Sequence, residues 1–126
     1  MRFANKLAAF GAIAAMSLAA GPAFAHHSFA MFDAQKDMTL EGTVVEFQWT
    51  NPHSWVQVQA KDSSGKQVEW SIEMASPNSL ARSGWKRTSL KPGDKVTLVV
   101  HPMRDGSPGG SLVSAAVDGV KIGAPR

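Results

Sequence analysis

The sequence predicts an all-β fold: a small barrel of five strands with one short helix between strands three and four. Three observations carry this expectation. Apolar and polar residues alternate with a period of two in separate segments of the chain. Clusters of Gly, Pro, Asn and Asp punctuate those segments. One helix-start signal, Ser76-Pro77, follows the third segment.

The elements run as follows. Thr39 to Trp49 is rich in β-branched and aromatic residues, and its alternation slips near Val44-Val45, as at a β-bulge. Asn51-Pro52 signals a turn. His53 to Lys61 forms a second strand, with Val56, Val58 and Ala60 on one face and Trp55, Gln57 and Gln59 on the other. A polar hairpin loop, Asp62 to Lys66, leads into a third strand, Gln67 to Met74. There Val68, Trp70, Ile72 and Met74 face in, and Gln67, Glu69, Ser71 and Glu73 face out. Ser76 suits a helix N-cap and Pro77 the first helical position, while Gly84 suits the helix end. Lys91-Pro92-Gly93-Asp94 is a turn before a fourth strand, Lys95 to Pro102. Met103 to Gly110 reads as a loop and Ser111 to Val117 as a fifth strand. Asp118-Gly119 then turns into a short edge strand, Val120 to Ile122. Three strands, a helix and two strands match a Greek-key barrel of the OB type. The rival, an immunoglobulin-like sandwich, needs about seven strands and no helix at that point.

The first 25 residues read as a cleaved secretory signal. Arg2 and Lys6 precede an apolar run, Leu7 to Ala20, and Ala23-Phe24-Ala25 fits a small-x-small cleavage rule. The run is shorter than the roughly 20 residues of a membrane span, so no stable membrane insertion is expected after cleavage. The location implied is periplasmic or secreted. Residues 26–38 form an N-terminal arm, with Phe29, Met31 and Phe32 as its anchors, and residues 39–123 form the barrel domain. Without Arg2 and Lys6 the chain has 11 basic and 10 acidic side chains, a net charge of +1. Phosphate-backbone binding draws on a basic excess, so the charge argues against nucleic acid as a partner. There is no cysteine, so a metal ligand must be His, Met, a carboxylate or the terminal amine.

The chain resembles a family of small exported bacterial proteins grouped as a domain of unknown function. The stretches that carry the resemblance are His26-His27-Ser28-Phe29 and Trp49-Thr50-Asn51-Pro52-His53-Ser54-Trp55. Ser76-Pro77-Asn78, Gly84-Trp85 and Leu90-Lys91-Pro92-Gly93-Asp94 follow in order. The resemblance implies export and brings no activity or catalytic residues, so function rests on the side chains themselves.

His26 is the most distinctive of these. Cleavage after Ala25 makes it residue one, and its amine and imidazole Nδ1 can then chelate one metal. The terminal amine has a reference pKa of about 8, which makes it easier to deprotonate than a lysine. Nitrogen ligands suit Cu(II), and His27, His53 or His101 can add a third. The plain alternative is a solvated, mobile terminus. His101-Pro102-Met103 joins imidazole to thioether, a pairing suited to Cu(I). His53, at the mouth of strand two, is either a ligand or a histidine bonded to the Asn51 turn. Trp49, Asn51 and Trp55 form a candidate ligand rim, or they simply close a barrel end. Glu69 and Glu73 read as the solvated face of an alternating strand.

No nucleophile, base and orienter can be assembled, so an enzyme is not expected. The leading expectation is an exported barrel that binds copper through His26, His27, His53, His101 and Met103. The other is a module that uses the Trp/His rim for a small ligand or an envelope protein partner.

Overall fold

The computed structural model describes residues 29–123. It contains six strands: β1 (Met38–Gln48), β2 (Trp55–Lys61), β3 (Gln67–Glu73), β4 (Lys95–Pro102), β5 (Gly109–Val117) and β6 (Val120–Ile122). One helix, α1 (Pro77–Arg82), lies between β3 and β4. The strand order is β3-β2-β1-β4-β5-β6, and a parallel pairing of β3 with β5 closes the first five strands into a barrel. This is the OB-like barrel that the sequence predicts.

The long first strand makes closure possible. Residues 38–43 of β1 pair with β4, while residues 42–48 pair with β2. The bulge falls at the predicted place: Val44 pairs with Val58 and Glu46 with Gln57, leaving Val45 unpaired. The turn before β4 docks at this bulge through Val44 N–H to Asp94 O (2.9 Å) and Gly93 N–H to Val44 O (2.8 Å).

Alternation sets the core. Val56, Val58, Ile72, Leu98 and Val100 are fully buried, with Leu40, Trp70 and Met74 around them. At about 25 cal/mol per Å² of apolar surface, burial on this scale is the main driving force for a chain without disulfides. The helix caps the barrel as its residues dictate. The Ser76 hydroxyl accepts the Ser79 N–H, Pro77 opens the helix and Leu80 is buried. Gly84 ends it at φ 87°, a conformation that costs glycine little. Trp85 then turns back into the core, and its backbone N–H donates to Leu80 O (3.0 Å).

β1 and β3 differ from expectation by one residue at an end, and two boundaries differ by two residues. His53 lies before β2, in the turn. β5 starts at Gly109, two residues earlier than Ser111, because the Gly109-Gly110 pair belongs to the strand. A Cβ on Gly110 would sit 2.7 Å from His101 O and 3.0 Å from Val100 Cγ2. Only a bare backbone lets β5 enter between β3 and β4, so residues that read as loop punctuation are the closure point. No helix among the described residues is long and apolar enough to cross a membrane.

Candidate functional site

The closure point gathers several of the sequence-predicted residues. In β4 Val100 faces the core, so His101 and Met103 lie on the outer side. His101 pairs with Ser111, Ser111 with Glu73, and Glu73 with Trp55. His101 and Glu73 are thus two strands apart, roughly 10 Å between backbones. Met103 lies over Gly109: a Cβ there would be 3.3 Å from Met103 Cγ and 3.9 Å from Sδ.

His53 is held by the barrel. Ser54 N–H donates to Ala75 O (3.1 Å) and Met74 N–H donates to Ser54 O (2.8 Å), which extends the β2–β3 pairing past the strand ends. His53 Nδ1 is 3.2 Å from Met74 O and 2.9 Å from Glu73 Oε1. A carbonyl only accepts, so Nδ1 carries the proton and the neutral ring has its lone pair on Nε2. His101 is held in the same way by other groups. Its Nδ1 is 2.9 Å from Lys36 O and 3.3 Å from Asp37 Oδ1. Both imidazoles thus have the outer contacts typical of metal-ligating histidines, one carbonyl and one carboxylate on the far nitrogen.

Glu73 departs from the sequence reading. It faces outward as the alternation requires, yet it is buried, at 8 % exposure. Parity does not tell a solvated outer face from a covered one. At this row β3 is flanked by both β2 and β5, and the His53 side chain packs on the carboxylate. Glu69 stays exposed.

The arm is stitched to the end of β4. Phe32 forms a bridge with Met103 and is buried at 7 % exposure. Arg104 N–H donates to Met31 O (2.9 Å), and Asp33 N–H donates to Pro102 O (2.8 Å). Met31 itself is exposed. Burial alone would raise the Asp33 pKa, but the Gln35 N–H and the Lys36 ammonium outweigh it and hold the carboxyl below its ordinary value.

The rim residues part company. Trp55 is half-buried beside its cross-strand partner Glu73. Trp49 packs edge-on to Phe47 (5.8 Å between ring centroids) and against the core, and Asn51 is exposed. His26 and His27 lie outside the described residues. Among the described residues, no three of His, Asp and Glu gather as a metal group. A shallow polar groove of ≈ 380 Å³ over β1, lined in part by Glu41, Thr43, Gln59 and Lys95, contains no histidine.

Fold and site together define a small OB-like barrel with anchored histidines at its closure point. The chain belongs to a family of unknown function, DUF6152, whose model matches residues 13–113. No curated protein matches it. Among solved structures it is similar to the crystal structure of Rim1, a mitochondrial single-stranded DNA-binding protein from S. cerevisiae. The identity is 13%, the match covers 70% of this chain and 97% of that one, and the TM-score is 0.47. The exclusion of nucleic acid as a partner, drawn from charge alone, is corrected here. The physical reason is that OB barrels hold single strands by stacking bases on aromatic side chains as well as by charge, so a near-neutral chain excludes nothing.

Proposed function

We propose that this is an exported binding protein that takes copper at the outer end of β4. His26 supplies its terminal amine and imidazole, and His101 and Met103 complete the site, with His27 and His53 as further imidazoles. The observation that carries this reading is the stitching of the arm to Pro102–Arg104. His26 lies five residue steps before Met31, the first arm residue bonded to this strand end, a reach of at most about 17 Å. A terminus tethered through this arm to the strand end that carries His101 and Met103 loses less entropy on closing a chelate than a free one does. The Nδ1 anchoring of His101 supports the same reading, because it fixes the tautomer that coordinates through Nε2.

The test is a titration of the mature protein, cleaved after Ala25, with Cu(II) and then Cu(I). His26→Ala, or one residue added before His26, is expected to weaken Cu(II) binding at least tenfold. His101→Ala and Met103→Ala are expected to weaken Cu(I) binding. Equal Cu(II) affinity in native and extended proteins would remove His26 from the site.

One observation favours a second reading, a binding module for a small ligand or envelope protein. Trp55 and Glu73 sit side by side on the β2–β3 face, the face that OB barrels use for ligands. Absence of micromolar copper binding, with ligand-dependent fluorescence that disappears in Trp55→Ala, would select this reading.

A further inference from the structure

We propose that Glu73 is a positioning residue: it holds the His53 imidazole in the Nδ1–H tautomer, the form that coordinates through Nε2. The consequence for metal binding rests on the copper reading above; the tautomer does not. Glu73 Oε1 is 2.9 Å from His53 Nδ1, and the Met74 carbonyl is at 3.2 Å. The charged acceptor at the shorter distance makes the stronger bond. The Glu73 backbone is held on both sides, since it pairs with Trp55 on β2 and with Ser111 on β5. Its side chain is 10% exposed against 31% for His53, so the carboxylate is the fixed partner and the ring is the one it orients.

This arrangement is costly unless it does something. A buried carboxylate must offset its desolvation with hydrogen bonds, and an apolar residue at the same outer position of β3 would avoid that cost. Glu69, four residues earlier on the same face, is exposed and serves as the internal reference. Carboxylates behind ligating histidines fix ring orientation and raise ligand basicity, and their loss typically weakens metal affinity about 10–100-fold.

The experiment reads the tautomer of His53 from its ring 15N chemical shifts in the metal-free mature protein, followed by a Cu(II) titration of each variant. Glu73→Gln keeps an acceptor oxygen without the charge, Glu73→Ala removes both, and Glu69→Gln is the control. The expected Nδ1–H fraction falls in the order parent, Glu73→Gln, Glu73→Ala, with Glu69→Gln equal to the parent. Copper affinity is expected to fall about 10–100-fold in Glu73→Ala. An unchanged tautomer in folded Glu73→Ala would overturn the proposal and leave Glu73 a purely structural residue. If Glu73→Ala does not fold, an unchanged tautomer in Glu73→Gln together with unchanged copper affinity would overturn it. A graded tautomer change in a protein that binds no copper upholds the positioning role and removes the copper reading, so the two failures are distinct.

Discussion

His53 and His101 reach the same local arrangement by different routes. Each has Nδ1 near one carbonyl and one carboxylate, and each ring is about 30% exposed. The partners of His53 are Glu73 and Met74, which belong to the barrel wall, and Glu73 is buried. The partners of His101 are Lys36 and Asp37 of the arm, and the Asp37 side chain is 66% exposed. One histidine is therefore fixed by global folding and the other by a segment that can open locally. The difference separates a permanent part of the surface from an adjustable one.

The largest expected effect removes the comparison altogether. Gly110→Val places atoms where His101 O and Val100 already sit, and the oxygen cannot move without parting β4 from β5. A loss of about 3 kcal/mol or more is expected, at the top of the range for overpacking, read as a lower urea midpoint. Both histidine environments should change together.

Phe32→Ala should split the two. A buried Phe in a core costs about 3–5 kcal/mol when cut to Ala. Phe32 lies on an arm that can release and leave no cavity, so the expected cost is smaller, about 2 kcal/mol. Hydrogen exchange should accelerate at the amides of Asp33 and Arg104, whose acceptors are Pro102 and Met31, while the Met74 amide under His53 stays protected. Equal acceleration at all three would show that the arm and the barrel wall are one unit.

Acid gives the smallest and most local effect. Asp33 is held below its ordinary value of 3.8 in the folded arm. Its contribution is present above the unfolded pKa and is lost as pH falls through the lower folded one. The arm turn should therefore loosen below about pH 4, seen as faster exchange at the Gln35 amide, which donates to Asp33 Oδ1. The amides of Ser54 and Met74 should not respond to Asp33→Asn.

Much of the barrel was legible from residues close together in the chain. The period-two stripes of β2, β3 and β4 matched the buried set, and the slip at Val44-Val45 marked the bulge. Ser76-Pro77 and Gly84 marked the helix ends. The site was legible only in part. His101 and Met103 were visible as residue types, but their shared outer face at the closure point depends on where β5 begins. Glu73 was read as solvated because alternation reports the side of a strand and not what covers that side. Gly109-Gly110 was the overlooked signal, since adjacent glycines before an alternating segment also suit a close backbone approach.

The sequence by itself determined the strands, the bulge, the helix caps, the lack of thiol chemistry and the family resemblance. Each of these depends on local sterics, hydrogen bonding or composition. Only the tertiary structure decided that Glu73 backs His53, that the arm backs His101, and that both lie by one closure point. Those relations depend on the parallel β3–β5 pairing and the Phe32–Met103 bridge. Such contacts join segments far apart in the chain, and their register is set by packing the whole barrel at once, so no local pattern records it.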